Sequence, residues 1–176
     1  MTRNGLKFFD TPIGLCGVAW NGDGPPVISH FALPEASDSL TRERLAHRAG
    51  GAEATSLPIE IIQLIERIQK HLAGELDPFL DVPLDLAGVI DFARDVYEFS
   101  RGIPPGATRT YGEVATGIGK PGTAQAVGQA LGRNPIPLIV PCHRILAAGG
   151  RPGGFSAPGG TATKSRLLQI EGAVLF

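Results

Sequence analysis

Sulfur is scarce in this chain: two cysteines, Cys16 and Cys142, and one methionine among 176 residues. Two cysteines far apart, without C-x-x-C spacing, supply neither a disulfide framework nor a zinc ribbon, so both are expected as reduced thiols and judged on reactivity. Long apolar runs are also missing. No stretch approaches the roughly 20 uninterrupted apolar residues of a membrane helix, and the N-terminus "MTRNGLKFFD" lacks the apolar core of a secretory signal. The expectation is a cytoplasmic protein with no membrane partner. Acidic residues are nearly absent from the last part of the chain: beyond Ser100 only Glu113 and Glu171 occur, among eight Lys and Arg.

The net charge of -1 therefore hides an asymmetry. Residues 1–85 hold 7 Lys and Arg against 12 Asp and Glu, whereas residues 86–176 hold 9 against 5. A basic half suits a polyanion, because each phosphate contact releases counterions; a mildly basic solvated surface reads the same from charge alone.

In the first third, "LKFF", "IGLCGVAW" and "VISHFAL" are short, partly alternating and rich in aromatic or branched residues, which predicts a small antiparallel sheet. Helices follow in "SDSLTRERLAHRAGG", which opens on N-cap residues, and in "SLPIEIIQLIERIQKHLAGE", with Pro58 in its first turn and Ile62, Ile65, Ile68 and Leu72 at helical spacing. His30, His47 and His71 sit one per element without shared spacing, so no metal set is read there. The segment "DPFLDVPLDLAG" reads as a linker or extended crossover. It divides the chain into an α/β module, residues 1–85, and a second domain, 86–176.

The second half is helical in short pieces. "DFARDVYEFSRG" offers Phe92, Val96 and Phe99 on one face. "YGEVATGIG" and "GTAQAVGQALGRN" flank the turn "GKPG", the pattern of a helix-turn-helix. Small or polar residues on the second of these, among them Gln125, Ala126 and Gly128, suit a helix lying against something bulky, whether a nucleic acid or its own protein. "PIPLIVPCHRIL" predicts a short buried strand, "AAGGRPGGFSAPGG" a glycine-rich loop, and "TATKSRLLQIEG" a final helix.

An ordinary thiol, with a pKa near ~8.5, is only about 3% thiolate at neutral pH, so a cysteine nucleophile needs a base or a cation beside it. Cys142 is followed at once by His143 and Arg144, which is unlike a cysteine buried only as a small hydrophobe. Cys16, inside "IGLCGVAW", fits that structural use. On an extended strand His143 points to the face opposite Cys142, so contact requires a bend or a bridging water. Beyond Ser100, Glu113 and Glu171 are the carboxylates left to orient the imidazole.

"VPCHRI" resembles the active-site motif of the O6-alkylguanine-DNA alkyltransferases, also called methylated-DNA-protein-cysteine methyltransferases. "IPPGATRTYGEVA", "AQAVGQALGRNPIPLIVPCHRI" and "KSRLLQIEGA" are similar to further blocks of that family, in order, over about residues 90–172; "TPIGLCGVAW" resembles its opening hairpin. The resemblance implies an RNase H-like α/β N-terminal domain and a mainly α, winged-helix-like C-terminal domain carrying the helix-turn-helix. It implies Cys142 as alkyl acceptor, His143 as general base through water, Glu171 as the carboxylate holding His143, and Asn134 bracing the turn. It also implies a substrate- and DNA-facing set: Tyr111, Gln125, Ala126, Gly128, Arg133, Arg144, Ile145, Phe155, Ser156 and Lys164. The expected partner is double-stranded DNA containing O6-alkylguanine, bound by a monomer that uses no cofactor and no metal.

Three departures stand out. Gln125 occupies the place where the family usually has an arginine inserted into the base stack, Phe155 stands where many members have tyrosine, and "GGFSAPGG" is one residue longer than the usual loop. Two rival readings use the same residues. A non-catalytic damage sensor would bind without transfer, and a cysteine hydrolase would turn over many times.

Overall fold

The structure, a computed structural model, describes residues 4–151, 153 and 159–173. The chain divides into two compact units: one runs to Asp77 and takes in Asp81–Asp85, and the other comprises Pro78–Leu80 and the chain from Leu86 on. The extended segment read as a linker thus contributes to both. Among the described residues no helix is long and apolar enough to cross a membrane.

The first unit is built on an antiparallel sheet in the order β1 (Gly5–Thr11), β2 (Gly14–Asn21), β3 (Val27–Ala32). Helix α1 (Asp38–Ala49) packs on the sheet, capped by the Ser37 hydroxyl accepting from the Leu40 amide. Leu45 of α1 joins Leu6, Phe8, Leu15 and Ala19 in one core cluster. Helix α2 (Ile59–Leu72) buries Ile61, Leu64 and Ile68, whereas Ile62, expected inside, is 40% exposed. Ile68 and Leu72 are buried as the spacing suggested and Ile65 is half-buried, while Ile61 and Leu64 complete the inward stripe. Single parallel bridges extend both sheet edges, Leu6 to Glu53 and Ile28 to Leu84. Cys16 lies in β2 with no exposed surface, its sulfur 3.7 Å from the Thr11 hydroxyl, and burial pushes its pKa up to about 12.

The second unit contains α3 (Asp91–Arg101), β4 (Arg109–Thr110), α4 (Tyr111–Gly117), α5 (Ala124–Gly132), β5 (Ile145–Leu146) and α6 (Gly160–Ile170). Helix α3 turns Ala93, Val96, Tyr97 and Ser100 inward, while Phe92 and Phe99 lie at the margin of that face. The Tyr97 hydroxyl donates to the Ala130 carbonyl at 2.6 Å and ties α3 to α5. Thr110 and Glu113 form a reciprocal capping box at the start of α4, satisfying two amides that the first turn leaves open. At the end of α4, Gly117 lies directly against the Phe99 ring, where a side chain would not fit.

The expected strand through "PIPLIVPCHRIL" is not formed. Only Ile145 and Leu146 are extended, paired in parallel with Arg109 and Thr110, and Cys142–Arg144 form a single 3₁₀ turn. The prolines explain the difference. Pro135, Pro137 and Pro141 offer no ladder donors, so the backbone bonds locally instead: Val140 N to Ile136 O at 2.9 Å, and Arg144 N to Pro141 O at 3.0 Å.

Candidate functional site

Between α5 and β5 the chain curls through a set of local bonds that Asn134 organises. Its side-chain oxygen accepts from the Ile136 amide at 3.0 Å, and its amide nitrogen donates to the Val140 carbonyl at 2.9 Å. Leu138 holds a left-handed φ of 75° inside this curl, a conformation uncommon for a residue with a Cβ. The curl delivers Cys142 to an interior position, 8% exposed. Burial raises the pKa of its thiol. The Asn134 side chain, the Lys164 charge and the amides of Cys142 and His143 oppose that rise. A base is therefore needed to free the sulfur's proton at neutral pH.

The 3₁₀ turn removes the difficulty of adjacency, because residues in a tight turn do not alternate between two faces as strand residues do. His143 is fully buried, and its Nε2 lies 2.8 Å from Oε1 of Glu171. A carboxylate only accepts, so Nε2 carries the hydrogen and Nδ1, also buried, is the basic nitrogen. Of the two carboxylates open from sequence, Glu171 at the C-cap of α6 meets the histidine, while Glu113 is spent on the α4 capping box.

Arg144 and Lys164, which the resemblance placed in the substrate- and DNA-facing set, are both buried, each 1% exposed. Arg144 grips Glu171 at two points, Nε to Oε2 at 2.9 Å and Nη2 to Oε1 at 2.7 Å, and its Nη1 donates to the Ile103 carbonyl at 2.7 Å. Lys164 donates to the carbonyl of buried Ile145 at 2.6 Å and lies 5.8 Å from the Tyr111 ring centre. Burial lowers its pKa from 10.5 to about 8, against the pull of Cys142. Neither side chain is available to a phosphate; both shape the interior around the sulfur.

Tyr111, the first residue of α4, is partly buried; burial first, and Cys142 second, raise its pKa. Gly128 of α5 brings its backbone near this ring, a Cβ there falling 3.8 Å away, so one small residue of α5 accommodates the protein's own tyrosine. Ala126 is half-buried, and Gln125 and Arg133 are exposed. Phe155 and Ser156 lie outside the described residues. Sequence reasoning missed two contributors. Tyr97, whose pKa is raised to about 12 by burial and then Cys142, carried a signal in its position next to Val96; the Ile103 carbonyl carried none.

Residues 91–173 match the family model for the DNA binding domain of 6-O-methylguanine DNA methyltransferase. A methylated-DNA–protein-cysteine methyltransferase of Mycobacterium tuberculosis is 38% identical over 165 residues, 94% of this chain and 90% of that one. One from Mycobacterium leprae is 43% identical over 166 residues, again 94% and 90%. The chain belongs to the methylated-DNA–protein-cysteine methyltransferase family. Solved structures of the family agree with the fold. A crystal structure of Mycobacterium tuberculosis OGT in complex with DNA superposes with a TM-score of 0.75 at 36% identity, covering 94% of this chain and 92% of that one. The O6-methylguanine-DNA methyltransferase of Pyrococcus kodakaraensis gives 0.69 at 27% identity, covering 98% and 100%.

Proposed function

We propose that the protein repairs alkylated DNA by moving the alkyl group of O6-alkylguanine irreversibly onto Cys142. The observation that carries this reading is a buried thiol on a tight turn whose next residue, His143, is held by Glu171 at 2.8 Å. It lies within the stretch matched by the family's DNA binding domain.

A base stacked in a duplex cannot offer its alkyl carbon to a buried sulfur, so the nucleotide is rotated out of the helix, at a cost of a few kcal/mol that pocket and backbone contacts offset. His143 takes the Cys142 proton, through a water, on its basic nitrogen. The thiolate attacks the alkyl carbon, the C–S bond forms as the C–O6 bond breaks, and guanine gains a proton to match the one lost by sulfur. The relay has no chemistry for cleaving the resulting thioether. Each molecule acts once.

Helices α4 and α5 serve in this reading as the helix-turn-helix, with exposed Gln125 and Arg133 toward the duplex and Tyr111, Ala126 and Gly128 near the extruded nucleotide. The backbone of Ile145 faces the guanine edge in this reading; Phe155 and Ser156, which the resemblance also assigns to the substrate, lie outside the described residues. The second domain, 86–176, is read as winged-helix-like and the first, 1–85, as RNase H-like. The latter is supported by the three-stranded meander followed by α1 and a parallel return at Glu53 beside β1. The working form is a cytoplasmic monomer on double-stranded DNA.

Intact mass after mixing with an O6-methylguanine duplex tests the proposal. A gain of one methyl group, lost in Cys142→Ala, is expected; tight binding with no mass gain would favour a damage sensor and overturn it.

A further inference from the structure

Glu171 is not His143's alone. The same oxygen, Oε1, receives the imidazole at 2.8 Å and the Arg144 Nη2 at 2.7 Å, while Oε2 receives Arg144 Nε at 2.9 Å. All three residues are buried, His143 with no exposed surface, Arg144 at 1% and Glu171 at 3%. We propose that Arg144 is a positioning residue that sets the proton affinity of His143: its two-point hold on Glu171 offsets the carboxylate charge and keeps the imidazole neutral until Cys142 gives up its proton.

A buried carboxylate touching an imidazole by itself strongly favours the imidazolium, because attraction between opposite charges is large where water is excluded. An imidazole already protonated has no lone pair for the thiol proton. With Arg144 in place, the guanidinium and carboxylate cancel, and protonating His143 would leave a net positive charge in a buried site. The other titratable groups around the turn reinforce this. Lys164 of α6 brings an ammonium beside Cys142, while Tyr97 of α3 and Tyr111 of α4 remain neutral phenols whose pKa values lie above the ordinary range. Once Cys142 is deprotonated the balance reverses, since the thiolate then stabilises the imidazolium formed by accepting its proton.

The guanidinium is held for this role by a third bond, Nη1 to the Ile103 carbonyl at 2.7 Å. The turn after Ile103 also approaches Glu171. Gly106, at φ 89°, would place a Cβ 3.1 Å from the Glu171 carbonyl. A planar fork suits a two-point contact plus an anchor, and lysine, a single point charge, reproduces the charge but not the fork.

The inference rests on His143 being the acceptor of the Cys142 proton, and it is tested without DNA and without transfer. In the full-length Cys142→Ser protein, the His143 imidazole is titrated by nitrogen-detected NMR. Its midpoint is expected no higher than the ordinary value of ~6.5. Adding Arg144→Gln is expected to raise that midpoint by ~1–3 pH units, because the cation bonded to the same carboxylate oxygen as the imidazole is removed. Arg144→Lys should stay closer to the parent. A purely structural role for Arg144 would lower stability and leave the midpoint in place. An unchanged or lower midpoint in Arg144→Gln overturns the proposal. So does an imidazolium already present in the parent above about pH 7.5, and that arm decides the matter even if Arg144→Gln does not fold.

Discussion

Replacing Lys164 by methionine should make the second unit's stability respond differently to pH. In the folded protein burial lowers the lysine pKa from 10.5 to about 8, whereas the unfolded chain keeps its proton to the ordinary value. Between those two values the unfolded state holds more protons, so the stability contributed by this group rises with pH; below the folded value both states are protonated and there is no slope. From about pH 7 to about pH 9.5 the wild-type protein should gain ~2 kcal/mol relative to Lys164→Met, at ~1.4 kcal/mol for each unit above the folded pKa. Loss of the 2.6 Å bond to the Ile145 carbonyl shifts the variant by a constant amount and leaves the slope unaffected. Urea unfolding at both pH values, followed by far-UV circular dichroism, reads the difference; fluorescence does not serve, because the one tryptophan, Trp20, lies in the first unit. A difference constant within ~0.5 kcal/mol, the order of extrapolation error, would refute the claim that this ammonium is desolvated in the fold.

Tyr97→Phe removes the 2.6 Å bond to Ala130, whose carbonyl keeps a weaker 3.2 Å contact from the Arg133 amide, so a loss of ~1 kcal/mol is expected in urea unfolding. Gly106→Ala forces a Cβ into a left-handed turn against the Glu171 carbonyl and should cost ~1–3 kcal/mol and slow alkylation of Cys142. Cys16, enclosed in β2 with a pKa pushed up to about 12, should resist iodoacetamide in the folded protein, and mass spectrometry finding it modified without unfolding would contradict its structural role.

Periodicity located the helices and the three-stranded sheet because those elements follow from local spacing and capping residues such as Ser37 and Thr110. It failed at Cys142, where an apolar run rich in proline resembles a buried strand but has lost the donors that a strand needs. Residue type also gave no sign that Arg144 and Lys164 are buried. Long cationic side chains are mostly exposed, and nothing in "HRI" or "TKS" announces that one grips a buried glutamate and the other a backbone carbonyl. The choice between Glu113 and Glu171 was not decidable from composition. It depends on a capping box that occupies one of them and on the end of α6 reaching the Cys142 turn, which is tertiary information. The adjacency of Cys142 and His143 looked awkward for the same reason: alternation holds for strands, and this segment is a 3₁₀ turn.

The central claim, that Cys142 takes the alkyl group permanently, is tested most directly with a duplex carrying a tritiated O6-methylguanine. After digestion, the label should reside in the Cys142 peptide at no more than one methyl per chain, and protein already labelled should be inert toward fresh lesion. Label that stays in the DNA, or label released as a small molecule in excess of the protein, would contradict it.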